Sequence, residues 1–278
     1  MSSSKGGSLH PRAMDYDTSW ATLSEAMKAI MRLEAVNSMS GMQLYRLVYS
    51  LACAHPRSYS PDMYVGVETF LLAEASRIAD SLVALSADSL LEQYSKAWYT
   101  YELGSRIMSH VIFNFLNDNW ITRRLARARA ALTSIYLSTA EERLGKAGAS
   151  GSNESTGGKG SGGRGRGPVP ASKQVYKIDE LALLMWRDKV LAPLKDRLVY
   201  AILEQVRKER DGEAIERELV VKPIESMVKL GLERNKPLAV YSETIELPYI
   251  AALREYYAAE TTNFLAQNAV PDYYSHAE

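Results

Sequence analysis

Residues 41–53 read GMQLYRLVYSLAC, and both the fold and the function turn on how this stretch divides its faces. Leu44, Leu47, Val48 and Leu51 recur at steps of three and four, which predicts a helix with one apolar stripe, and Ser40 stands ahead of it as a cap. Met42, Tyr45 and Tyr49, with Arg46 beside them, form a second stripe rotated away from the first. A surface helix needs only one buried face. Either this helix is buried on two sides within its own bundle, or a separate protein covers the second stripe. Methionine, tyrosine and arginine are the residue types enriched at such interfaces. The pattern alone leaves both alternatives open.

The same helical spacing extends in both directions. Trp20, Leu23, Met27, Ile30 and Met31 predict a helix over about residues 17–34 capped by Asp17, and Ser60-Pro61-Asp62 opens another over about 61–84. Runs from Asp88 to about Tyr101 and from Gly104 to about Leu144 complete five helices. Residues 145–172, GKAGASGSNESTGGKGSGGRGRGPVPAS, then hold ten of the seventeen glycines and almost nothing apolar. Such a segment cannot bury enough surface to offset backbone ordering, so a flexible insert is expected over 145–175. Beyond it, helices are predicted over about 178–210, 213–231, 240–259 and 260–268, punctuated by Asp211-Gly212, Gly231 and Pro237. No alternating strand pattern competes, so the fold class is all-α.

Composition excludes several functions. Lysine plus arginine and aspartate plus glutamate each total 33, so no net field draws the chain to nucleic acid or an anionic membrane. The single cysteine, Cys53, rules out an internal disulfide framework; it continues the apolar helix and is expected in the core. The four histidines, His10, His55, His110 and His276, show no metal-ligand spacing, so neither a metal nor a cofactor is expected. The first fourteen residues are read as a disordered tail without the apolar run of a signal peptide, and no later stretch has the roughly 18 apolar residues of a membrane span. A soluble protein of the cytoplasm and nucleus is expected. Gly160, Gly162 and Gly165 match a dinucleotide fingerprint by spacing, but no strand precedes them, and Arg164 with Arg166 is a poor footprint for RNA. Glu209, Asp211 and Glu213 flank a helix-ending Asp-Gly and read as solvated capping residues rather than a catalytic pair. Trp20, Trp98, Trp120 and Trp186 read as core anchors.

Five ordered stretches carry a family resemblance: MQLYRLVYSLA (42–52), FNFLNDNWITRR (113–124), ALLMWRDKVLAPL (182–194), ILEQVRKERDGEAI (202–215) and YYAAETTNFLAQNAVPDYYSHAE (256–278). They resemble the amino-terminal segments of cullins, most nearly the type-1 cullin of SCF ubiquitin ligases. The resemblance implies an elongated stalk of cullin repeats, each a bundle of about five helices. Residues 15–144 would be the first, adaptor-binding repeat, and 176–278 a second repeat cut within its last helix after Pro271-Asp272. It further implies a non-catalytic scaffold whose second and fifth helices dock a Skp/BTB-fold adaptor carrying an F-box substrate receptor. A RING-box protein would join only through a carboxy-terminal domain outside this sequence. Carried over by position, the docking residues are Met39, Met42, Tyr45, Arg46 and Tyr49 on helix two and Phe115, Asp118 and Asn119 on helix five. Arg46 and Asp118 fall toward the rim, where charge selects among partners. Gly41 departs from the family's usual larger residue, which predicts a thinner contact there. The rival expectation is a helical-repeat scaffold without a ubiquitin link, such as a subunit of a tethering complex.

Overall fold

Asp15, not Asp17, starts the first helix, because its carboxylate accepts from the Asp17 amide while Asp17 itself lies in the first turn. The computed structural model describes residues 15–36, 39–148, 174–233 and 235–267. The amino-terminal tail, residues 149–173 of the glycine-rich tract and Pro271-Asp272 lie outside the described residues. The described residues form α-helices joined by short π-helical turns, with no strand among them. None of these helices is long and apolar enough to cross a membrane.

Five helices precede the tract. They are α1 (Tyr16–Met31), α2 (Gly41–Ala52), α3 (Ser60–Val83), α4 (Ala87–Ile107) with its π-helical extension Met108–Ile112, and α5 (Thr122–Gly148), which follows the π turn Leu116–Ile121. The sequence placed the break between the fourth and fifth helices at residues 101–104; it falls at Phe113. Gly104 is not a breaker. A Cβ there would lie 3.0 Å from the Ile30 carbonyl oxygen and the Met31 Cα, so this glycine lets α4 press against the end of α1. α5 also runs to Gly148, four residues past the predicted end at Leu144.

After the tract, α6 (Ile178–Trp186), the π turn Arg187–Leu191 and α7 (Ala192–Arg210) form one uninterrupted helix over the predicted range. α8 (Glu218–Lys229) begins later than the expected residue 213, because Gly212 at φ +86° turns the chain out of the helix and the residues before Arg217 are not helical. α9 (Ala239–Tyr241), the π turn Ser242–Glu246 and α10 (Leu247–Gln267) again run on without the break expected near residue 259.

The helices on both sides of the tract share one hydrophobic core, with α6 packed on α3 and α4, and α8 on α4. At its centre the fully buried Trp186 meets the rings of Tyr94, Trp98 and Tyr101 at 5.6, 5.2 and 4.9 Å. Both tyrosine hydroxyls and the central indole have partners. The Trp186 indole N–H donates to the Tyr94 oxygen at 3.1 Å, Tyr94 and Ser226 share a 2.9 Å hydrogen bond, and the Tyr101 hydroxyl donates to the Ala182 carbonyl at 3.1 Å. Burial pushes both tyrosine pKa values up, so these hydroxyls stay protonated donors. Trp98 is buried too, as expected, whereas Trp20 and Trp120 are only partly buried at the edge of the core.

Candidate docking face

α2 is fixed at its start by a reciprocal cap: the Ser40 hydroxyl accepts from the Gln43 amide at 3.4 Å, and the Gln43 side chain accepts from the Ser40 amide at 2.7 Å. From that register Leu44, Val48 and Leu51 are buried and Leu47 is partly buried, which makes the first stripe the core stripe. Residues 42, 45, 46 and 49 lie at i, i+3, i+4 and i+7 and therefore share the other face. Met42 is 62% exposed, Tyr49 is 47% exposed, Arg46 is exposed and Tyr45 is half-buried. The second stripe is thus open rather than sealed within its own bundle. Cys53 is exposed, not in the core: it occupies the C-cap, two residues past Leu51, and that step turns it away from the interior.

The opening of the fifth helix joins this face through one contact. The rings of Tyr49 and Phe115 meet edge to face at 4.8 Å and 70°. Phe115 is half-buried, Asp118 one turn on is exposed, and the half-buried Asn119 donates to the Phe115 carbonyl at 3.3 Å. Met39 packs partly into the core just before the Ser40 cap and offers less open surface than Met42. The vacant Cβ position of Gly41 lies 3.1 Å from Val111 Cγ1, so a larger residue there would press on the π turn after α4.

Asn117 anchors the opening of the fifth helix, a role the sequence reading missed. Buried next to the exposed Asp118, it donates to the Ser109 carbonyl at 3.1 Å and to the Ser109 hydroxyl oxygen at 2.9 Å. Its own side-chain oxygen accepts from the Ile178 amide at 3.1 Å, and Ser109 in turn donates to Asp179 at 3.2 Å. One amide therefore ties the end of α4, the start of α5 and the start of α6 together. Its signal in the sequence is only a polar residue where the 3.6-residue period calls for an apolar one.

A groove of about 470 Å³ continues the face past Phe115 and Asn119. Ala52, Cys53, Ser58 and Ser60 line one side, and Trp120, Arg123, Arg124 and Arg127 the other. The arginines were visible in TRRLARAR (122–129), where positions 123 and 127 share a helix face, but that stretch was not read as part of the site. Among the described residues no group of three or more potential metal ligands is brought together.

One shared core built wholly of helices, with an open aromatic face on α2, defines an all-helical protein as the class. The chain matches the model of the cullin alpha solenoid domain over residues 20–278. It is 24% identical over 300 residues to Cullin-1 of Caenorhabditis elegans, covering 95% of this chain and 33% of that protein. It is 28% identical over 221 residues to Cullin-1 of Dictyostelium discoideum (78% and 23%), and 21% identical over 293 residues to Cell division control protein 53 of Saccharomyces cerevisiae (95% and 30%). The chain belongs to the cullin family, and it spans a third or less of the length of these relatives.

Proposed function

We propose that this chain is the adaptor-docking end of a scaffold subunit of an SCF-type cullin-RING ubiquitin ligase, working in the cytoplasm and nucleus and carrying out no chemistry itself. The observation that carries the reading is the open face of Met42, Tyr45, Arg46 and Tyr49, joined to Phe115 by the Tyr49 ring contact. A Skp/BTB-fold adaptor holding an F-box receptor would cover it. Met42, Tyr49 and Phe115 would contribute the buried apolar area, and the aromatic rings, with few rotatable bonds, would lose little entropy on docking. Arg46 and Asp118, both exposed, would sit at the rim and choose among adaptors. The division into repeats at 15–144 and 176–278 belongs to the same proposal, as does recruitment of a RING-box protein through a separate carboxy-terminal domain. Type-1 relatives among the similar proteins favour a Skp-type adaptor over other classes.

The test is a binding titration of the purified chain with a recombinant Skp-type adaptor. The double variant Tyr45→Ala, Tyr49→Ala is expected to keep its helical circular dichroism and to lose at least about 30-fold in affinity, roughly 2 kcal/mol, as for truncation of central interface aromatics. Undiminished binding by a folded double variant would show that the adaptor docks elsewhere.

A further inference from the structure

Several of the described arginines meet an acid or a carbonyl. Arg57 pairs with Asp62, Arg77 with Glu74, Arg106 with Glu102, Arg187 with Asp188 and Arg217 with Glu209, while Arg197 donates to the Val83 and Leu85 carbonyls. Arg123, Arg124 and Arg127 do not, and they line one groove together. Arg123 reaches only the Asn119 side-chain oxygen at 3.5 Å, Arg124 lies over the Trp120 ring at 5.3 Å, and among the described residues none of the three is bridged to a carboxylate. In a chain whose basic and acidic residues balance at 33 each, this is a local excess of positive charge on one groove wall. Stacking on Trp120 also holds the Arg124 guanidinium in place, so less freedom is lost when it meets an anion.

We propose that this groove takes a carboxylate-bearing segment of the same protein that docks on the α2 face, so that the interface has an apolar half and an electrostatic half. The inference rests on the docking reading above and gives it a chemistry. Two observations select the occupant. Phe115 and Asn119 belong both to the docking residues and to the groove wall, so a protein seated on Tyr49 and Phe115 lies next to the arginines. The other wall supplies Ala52, Cys53 and the exposed Ser58, which suits an acidic peptide with short aliphatic portions. Nucleic acid fits less well, because three arginines in a groove of about 470 Å³ on a neutral chain make no continuous track for a phosphate backbone. Planar guanidiniums accept carboxylates in two-pronged pairs, and such contacts at the edge of an interface act mainly on encounter and on salt dependence.

The experiment compares wild type, the triple variant Arg123→Gln, Arg124→Gln, Arg127→Gln and the charge-keeping triple lysine variant. Each is titrated with a Skp-type adaptor, and separately with a fluorescent Glu/Asp-rich peptide. Wild-type affinity for the adaptor is expected to fall steeply between about 0.05 and 0.5 M salt. The glutamine variant should bind about tenfold more weakly at low salt with a much flatter salt dependence, and the lysine variant should recover most of the loss. The peptide should bind wild type and not the glutamine variant. An adaptor affinity and salt slope unchanged in the glutamine variant overturn the inference while leaving the docking face intact. If wild type binds the peptide but no adaptor at any salt, the docking reading and the shared occupant both fall. Tighter binding of a single-stranded RNA than of the acidic peptide overturns the choice of occupant.

Discussion

Two aromatic clusters in this chain, each drawn in part from one helix stripe, end in opposite environments. Around Trp186 the rings of Tyr94, Trp98 and Tyr101 are buried, and the two tyrosine hydroxyls and the Trp186 indole N–H are paired. Where α2 meets the opening of the fifth helix, Tyr49 and Phe115 touch at a similar ring distance of 4.8 Å, yet Tyr49 stays 47% exposed and Met42 beside it 62%. The difference is a third helix. α6 lies across α3 and α4 and closes the first cluster, whereas among the described residues no helix crosses the outer face of α2. Periodicity identifies apolar stripes; only the packing of a further element decides which of them are sealed.

The strongest way to break this comparison is at Trp186. Trp186→Ala removes a fully buried ring from the joint between the helices before and after the glycine-rich tract and leaves the Tyr94 hydroxyl short of one partner. The expected loss is about 3–5 kcal/mol, read from urea unfolding followed by circular dichroism. Because the core is shared, both sets of helices should lose stability in one transition. Two separate transitions, with the helices before the tract unaffected, would contradict a shared core.

The all-α class, five helices before the tract and the uninterrupted helix over 178–210 were legible in the sequence, since those segments are long and strongly periodic. Boundaries set by packing were not. Gly104 reads as a breaker in one dimension and is a close-contact point in three, because its neighbour Met31 lies 73 positions away in the chain. Cys53 reads as a continuation of its apolar helix until the register fixed by the Ser40 cap turns it outward. At the candidate site, the division of α2 into a core stripe and a second stripe was legible, but whether the second stripe was open or sealed in its own bundle was not. Asn117 and the three groove arginines were missed for opposite reasons. The amide's partners Ser109 and Ile178 are distant in sequence, and arginines on a helix usually face solvent with a neighbouring acid.

Asn117 and Asp118 put the same distinction between sealed and open side chains into two adjacent residues. Asn117→Ala leaves the buried Ile178 amide without its acceptor and frees Ser109, so a cost of about 1–3 kcal/mol is expected by chemical denaturation. Asp118→Ala removes an exposed carboxylate and should stay within about 0.5 kcal/mol of wild type. Equal costs at the two positions would mean that the start of the fifth helix is not anchored through Asn117.

The smallest expected effect is at Tyr49 and Phe115, and it sharpens the comparison most. In the free chain the two rings share one edge-to-face contact that is wet on its outer side, so a double-mutant cycle of Tyr49→Ala and Phe115→Ala should give a coupling of only about 0.5 kcal/mol in unfolding. If a partner buries this face, the same cycle measured on adaptor affinity should give a larger value, because removing water from around both rings strengthens their contact and couples each to the partner. A large coupling in the free chain would place the pair with the sealed cluster around Trp186, and the contrast between the two regions would vanish.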